Sequence, residues 1–247
     1  MEPLTAILVS SVIVALVSFV GFFTLSFSDK KLEQIMLLLV ALSAGTMLGS
    51  TFLHIIPKTV LSYMIENTFL YIIAGFLVFY IIEKIFHWRH AHDGKTPVHK
   101  IGRMNLFGDL THNFVEGLII AAGFMTDFTL GIATALAVIL HEIPQEIGDI
   151  NILLRSGFQK KRAFVLNFSV SLTTLLGGVV GYVLSVEYTS TFMPFLLPFA
   201  AGGFVYIAAS DLIPEIRQVM DVRKSVIILG VFLLGVGVMQ ALTTLVV

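Results

Sequence analysis

Two stretches of this chain hold polar residues whose types and spacing suit a bound metal ion. The first reads Gly108-Asp109-Leu110-Thr111-His112-Asn113-Phe114-Val115-Glu116-Gly117, and the second reads His141-Glu142-Ile143-Pro144-Gln145-Glu146-Ile147-Gly148-Asp149. On a helix, residues four apart point in directions differing by about 40°, and neighbours by about 100°. His112 therefore shares a face with Glu116, and His141 with Gln145. Facing each other, these pairs bring two imidazoles, a carboxylate and an amide oxygen to one point. Asn113 and Glu142, about 100° round, could converge on a second point. Glu146 adds a further carboxylate to the second stretch. Histidine with carboxylate or amide oxygen suits borderline divalent transition metals such as zinc, iron, manganese or cadmium, whereas Mg2+ and Ca2+ prefer all-oxygen shells. Cysteine is absent, which removes disulfides, thiolate metal sites and thiol nucleophiles. No catalytic residue and no prosthetic group is expected.

Both stretches lie within strongly apolar sequence. The chain is 57% hydrophobic and only 13% charged over 247 residues, and its mean hydropathy is +0.95. Soluble domains carry about 25% charged residues, so this composition points to a bilayer. A formal net charge of −1 gives no support to a nucleic-acid surface. An ionised side chain at the bilayer centre costs about 2.5 to 3.5 kcal/mol on insertion scales, so Glu116, Glu142 and Glu146 left unpaired represent a penalty on the order of 10 kcal/mol. Neither stretch contains Lys or Arg. The compensating charge has to be a proton or a bound cation. Pro144 is expected to bend its helix and free the carbonyl of Leu140, opening a polar space beside His141.

The elements that must position these residues are membrane helices of about 20 apolar residues each. Eight segments approach that length: Leu4 to Phe27, Ile35 to Ile56, Thr68 to Phe86, Asn105 to Met125, Leu130 to Leu153, Phe164 to Val186, Phe192 to Ile216 and Val226 to Val247. The first begins at Glu2 instead of a basic region and is too long for a signal peptide, so it is expected to be retained. Fourteen of the fifteen Lys and Arg residues fall at alternate loops: Lys30 and Lys31; Lys84 to Arg103; Arg155 to Arg162; and Arg217 to Lys224. Lys58 alone falls on the other side. Basic short loops stay cytoplasmic, so eight crossings with both termini extracytoplasmic fit the pattern.

Spans two and seven share a local pattern. Ala44-Gly45 precedes His54 and Pro57 as Ala201-Gly202 precedes Asp211 and Pro214, at a constant offset of 157 residues. Five intervening helices would reverse the second copy in the membrane, the arrangement of an inverted repeat. The expected fold is thus an all-α membrane protein, a single transmembrane domain over 1–247, with helices 1-3 repeated as helices 6-8 around central helices 4 and 5. The glycines at 45, 49, 177, 181, 202 and 203 suit close helix packing. Asp109 and Asp149 fit helix-end roles as well as functional ones, and His54 and Asp211 fit the outer and inner mouths of a path. A cytoplasmic loop at 87–104 carries His87, His90, His92, Asp93 and His99, a composition that suits either a soluble connection or weak metal collection. Its Gly94-Lys95-Thr96 lacks the earlier glycine of a phosphate loop, which would fall at Arg89.

The two polar stretches resemble the ZIP (Zrt/Irt-like) family of divalent-metal transporters. His112-Asn113-Phe114-Val115-Glu116-Gly117 is similar to the family's HNFxDG pattern, and His141 through Asp149 to its HExPHExGD pattern. Leu53 through Pro57, and Ala201-Gly202 through Glu215, add supporting likeness. The resemblance implies import of zinc or a related metal into the cytoplasm through a two-metal centre reached by alternating access. It implies that His112, Glu116, His141 and Gln145 hold the first ion, that Asn113 and Glu142 belong to the second, and that spans one, four, five and six move against the others. Two positions depart from the pattern: Glu116 stands where Asp is common, and Gln145 stands where the motif has its second His. The latter removes a strong ligand, so one strong site and one weak or absent site are expected.

The expected function is therefore secondary transport of a divalent transition-metal ion, with proton exchange compatible with ligands that deprotonate on binding. The expected partners are the metal ion and the lipid bilayer, a homodimer is the candidate assembly, and the cell membrane is the expected location. Two rivals remain in view. An intramembrane metalloprotease would use His141-Glu142 as the start of a His-Glu-x-x-His motif, which position 145 does not complete. A metal sensor would bind without transporting.

Overall fold

The structure is a computed structural model that describes residues 2–24, 29–63, 67–91 and 98–245. Helices account for nearly all of it, and no strand occurs among the described residues. The order is α1 (Pro3–Thr24), α2 (Asp29–Ser50), α3 (Ile56–Tyr63), α4 (Thr68–Ala91), α5 (Val98–Thr126), α6 (Phe128–Arg155), α7 (Lys160–Ser171), α8 (Thr173–Glu187), α9 (Thr189–Ile207), α10 (Ile213–Arg217) and α11 (Val222–Leu245). Sequences that are apolar all round, such as the run of Val, Ile and Leu in α1, have no polar face to offer water and so suit a lipid environment. Valines and leucines of α1, α4, α8 and α11 accordingly remain on the outside.

Seven segments among the described residues are long and apolar enough to cross a membrane: Pro3–Gly21, Ile35–Leu61, Thr68–Ile85, Phe128–Arg155, Lys160–Glu187, Pro194–Arg217 and Val222–Leu242. The remaining long helix, α5, has 29 residues and so extends about 44 Å at 1.5 Å per residue. Its polar residues, among them Asp109, His112 and Glu116, lower its hydropathy. The His-bearing loop expected at 87–104 is shorter on both sides, because α4 runs to Ala91 and α5 starts at Val98. His87, His90, His92, Asp93 and His99 lie outside the described side chains.

Three prolines meet the helix in two different ways. A π-helical turn, Thr51–Ile55, joins α2 to α3, and another, Ala208–Leu212, joins α9 to α10. Pro57 and Pro214 follow them at equal distance. A proline ring cannot donate to the carbonyl one turn back and crowds it; an extra residue in that turn relieves the crowding. His54 and Asp211 sit within these turns. Pro144, by contrast, lies inside an uninterrupted α6. The Leu140 carbonyl that it deprives of a partner accepts a hydrogen bond from Ser43 Oγ of α2 at 2.6 Å.

Helix pairs α2–α11 and α4–α9 pack closely, as do α5–α8, α5–α6 and α1–α6. In the first two pairs the backbones touch through glycine. A Cβ at Gly45 would overlap the Phe232 carbonyl oxygen, and one at Gly235 would press on the Leu42 carbonyl. A Cβ at Gly202 would overlap the Ile72 carbonyl oxygen, and one at Gly75 that of Phe199. These two sets of contacts correspond: Leu42 and Gly45 map onto Phe199 and Gly202 at the offset of 157, and Ile72 and Gly75 map onto Phe232 and Gly235 at an offset of 160.

Between α5 and α6 a tight turn is closed by Asp127. Its Oδ1 accepts the backbone N–H groups of Thr129 and Leu130 at 3.0 and 3.1 Å, an N-cap that satisfies the otherwise unpaired donors of a helix start. Its Oδ2 lies 3.1 Å from Lys58 Nζ. Partial burial pushes the Asp127 pKa up, but the Leu130 N–H and the Lys58 ammonium outweigh it and hold the carboxyl below its ordinary value. The one basic residue set apart from the other fourteen thus has an acidic partner.

Candidate metal centre

Helix α5 supplies His112 and Glu116, one turn apart, and the facing helix α6 supplies His141 and Glu142. One ligand atom from each of the four comes within 4.8 Å of every other. His141 Nε2 is 2.6 Å from Glu116 Oε1, and His112 Nε2 is 3.2 Å from the same oxygen. Glu142 Oε1 lies 3.6 Å from His112 Nε2 and 3.7 Å from His141 Nε2. The two imidazole Nε2 atoms are 3.3 Å apart. Glu116, His141 and Glu142 are buried, and His112 is partly exposed.

The chemistry of this group follows from who donates to whom. His141 Nδ1 lies 3.0 Å from the Ala137 carbonyl oxygen. A carbonyl can only accept, so Nδ1 carries the hydrogen and the neutral ring presents the lone pair of Nε2 to the cluster. Such a bond on the far nitrogen is the usual orienting contact of a metal-binding histidine. Among the described residues, no amide, hydroxyl or ammonium group donates to the oxygens of Glu116 or Glu142, which face the two imidazoles. Two ring nitrogens and two carboxylates with converging lone pairs make a donor set for a tetrahedral or slightly expanded divalent transition metal.

The other expected ligands are placed around this group. Asn113 Nδ2 donates to Asp109 Oδ1 at 2.8 Å, and Asn113 Oδ1 accepts from Thr174 Oγ1 at 2.8 Å. Gln145 Nε2 donates to Asp109 Oδ1 at 3.2 Å. Glu146 accepts from Ser171 Oγ at 2.5 Å and from Asn167 Nδ2, both on α7. Glu142 thus joins His112, Glu116 and His141, while Asn113, Gln145 and Glu146 have partners of their own. Sequence reasoning missed Asn105, Ser43, Asn167, Ser171 and Thr174 as partners. Only Asn105 carried a signal, being four residues before Asp109 on the polar face. The glycine of the first motif has a packing role: a Cβ at Gly117 would strike the Thr174 carbonyl of α8, and one at Gly177 the Phe114 carbonyl of α5.

A cavity of about 550 Å³ leads to the cluster from one side. Its walls include Glu83 and Tyr206, whose hydroxyl donates to the Glu83 carboxylate. Asn105, Asp109, His112, Gln145, Asp149 and Asp211 also line it. Pro144 was expected to open a space beside His141; the opening lies beside His112, while His141 is 1% exposed and has the Phe204 ring 6.2 Å away, centroid to centroid.

Residues 97–243 match the family profile described as ZIP Zinc transporter, more than half of the chain. The chain belongs to the ZIP zinc transporter family. Similar ZIP proteins include zinc transporter zipt-7.2 of Caenorhabditis elegans, 39% identical over 143 residues, which is 53% of this chain and 30% of that protein. Human zinc transporter ZIP13 is 38% identical over 149 residues, 56% of this chain and 39% of its own length. Zinc transporter SLC39A7 of Canis lupus familiaris is 40% identical over 148 residues, 57% of this chain and 31% of its own. Each match thus spans well under half of the relative. ZIP membership together with seven apolar helices of spanning length makes this a multi-pass membrane protein.

Proposed function

We propose that this protein carries divalent transition-metal ions across its membrane toward the cytoplasm by alternating access, with zinc the foremost cargo. Iron, manganese and cadmium are the others that its donors admit. The observation that carries this reading is the convergence of His112, Glu116, His141 and Glu142 within 4.8 Å, on helices whose depth would reject uncompensated carboxylates. These four hold the first ion. Asn113, Gln145 and Glu146 belong to a second, weaker position, since each is already held by hydrogen bonds to neighbouring side chains.

In this reading α5 is the eighth membrane span, and the chain is an inverted repeat of spans 1-3 and 6-8 about α5 and α6. The matching π turns, each ahead of a proline, and the matching glycine contacts of α2–α11 and α4–α9 support it. The cavity at His112 adjoins the helix ends that lead into the basic loops, through Glu83 beside Lys84 and Ile152 near Arg155. By the positive-inside rule that side is cytoplasmic, both termini lie outside, and the cell membrane is the site of action. The metalloprotease reading loses support at position 145, where an amide bonded to Asp109 replaces the required imidazole.

The test is uptake of radiolabelled zinc into proteoliposomes, with His112→Ala and His141→Ala beside the unaltered chain. Uptake by the unaltered chain and its loss in both variants is the expected result. Undiminished uptake in both variants removes the proposed path, and tight zinc binding without any uptake assigns a sensor instead.

A further inference from the structure

Beyond the four-ligand centre, the seam between α5 and α6 continues as a polar ladder. Gln145 Nε2 donates to Asp109 Oδ1 at 3.2 Å, and Asn105 Nδ2 donates to Asp149 Oδ1 at 2.7 Å. Each step of four residues back along α5 is matched by a step of four forward along α6, so the rungs follow at about one helical turn. In both aspartates one oxygen is fixed by an amide. The other oxygens, Asp109 Oδ2 and Asp149 Oδ2, are buried with no hydrogen-bond partner among the described residues. The two residues are 6% and 8% exposed, and both line the same cavity as His112.

An amide clamp orients a carboxylate without neutralising it. The free oxygen keeps its desolvation penalty, in a wall to which neither α5 nor α6 contributes a Lys or Arg at these rungs. A divalent ion with part of its water shell supplies what is missing. Oxygen donors alone hold zinc less tightly than two imidazoles with two carboxylates do, and they suit manganese well. Affinity therefore falls along the ladder from the centre to the mouth, which favours release.

We propose that Asp109 and Asp149 form a further cation site of oxygen donors only, which receives the divalent ion as it leaves the four-ligand centre. The second half of that statement rests on the transport reading above. Manganese titration of the purified full chain, followed by electron paramagnetic resonance, is expected to show a tight class of bound ion and a weaker class. Asp109→Asn combined with Asp149→Asn should keep the tight class, lower the number of weaker ions by one, and slow zinc uptake by roughly tenfold or more. An unchanged number of weaker ions in that variant overturns the site.

Should the double variant lose the tight class as well, manganese-soaked crystals of the unaltered chain decide the matter. An anomalous peak in ligating contact with Asp109 Oδ2 or Asp149 Oδ2 supports the site, and a peak confined to the four-ligand centre overturns it. The two readings fail separately. Absent zinc uptake by the unaltered chain defeats transport, whereas the binding arms judge the two aspartates alone.

Discussion

The seams of α2 with α11 and of α4 with α9 are closed by glycine, and the seam of α5 with α6 is lined with carboxylates and imidazoles. The first kind brings backbone against backbone and needs nothing else to be complete. The second kind leaves the oxygens of Glu116 and Glu142 with no amide, hydroxyl or ammonium donor among the described residues, so its stability depends on what occupies it. Long apolar helices thus serve two ends, and the residues at the contact decide which. The sharpest way to break this contrast is at Gly202, where a side chain would meet the backbone of Ile72 and Phe76, which cannot swing aside. Gly202→Val is expected to lose about 3 kcal/mol or more through forced separation of α9 from α4. Gly237→Ala, with nothing within 4 Å of the added carbon, should gain about 0.5 to 1 kcal/mol from helix propensity. Thermal unfolding in detergent compares the two, and equal effects would erase the distinction between packed and open glycines.

On the polar seam the expected effect has the opposite sign in the absence of metal. Glu142 is fully buried and faces Glu116 across the cluster, so without metal it must either carry a desolvated charge or take up a proton, and an amide avoids both costs. Glu142→Gln should stabilise the chelator-treated protein by about 1 to 3 kcal/mol. The same change weakens the centre. Zinc at 100 times its dissociation constant stabilises a one-site protein by about 2.7 kcal/mol, and the variant should show well under half of that at the same concentration. Melting with chelator and then with zinc reads both quantities. Coincident melting of the two chelator-treated proteins would show that the seam carries no such strain.

The two seams were unequally legible in the amino-acid sequence. Apolar stretches and the shared face of His112 with Glu116 depend on composition and helical period alone, so both could be read directly. The paired glycine seams were foreshadowed by the 157-residue offset between Gly45 and Gly202. Which side chains meet across α5 and α6 could not be read, because that depends on how far each helix is rotated about its axis. Glu142, about 100° from His141, reaches the first cluster, and Gln145, on the His141 face, reaches Asp109 instead. The hydrogen bonds of Glu146 to Asn167 and Ser171 required knowing that α7 lies alongside. Pro144 announced that the Leu140 carbonyl would lack its helical donor; nothing local announced that Ser43, 97 positions earlier, would supply one.

That contact gives a smaller and cleaner probe of the polar seam. Ser43→Ala leaves the Leu140 carbonyl one turn from Pro144 without a donor, and the loss should be about 1 to 3 kcal/mol. Ser43→Thr keeps the hydroxyl and should recover part of it. The readout is the difference in unfolding midpoint between the two, and no difference would mean that the carbonyl finds another donor.

The smallest effects are expected at Asp127, outside both seams, where the cap and the ion pair can be separated. Asp127→Ala removes both and should lose about 1 kcal/mol. Asp127→Asn retains a capping oxygen and forfeits only the contact with Lys58, an exposed pair worth a few tenths of a kcal/mol at about neutral pH. The folded-state pKa of Asp127 is depressed, so its stabilising contribution is complete above the ordinary aspartate value of about 3.9 and is lost as pH falls through the lower folded value. The deficit of Asp127→Ala relative to the unaltered chain should therefore be full near neutrality and shrink as the medium is acidified below that range. The carboxylates of the α5–α6 seam are common to both proteins and cancel in the difference. A deficit that stayed constant through acid would mean that the protonated Asp127 still closes the turn, making the cap independent of charge in a way the buried carboxylates of the seam are not.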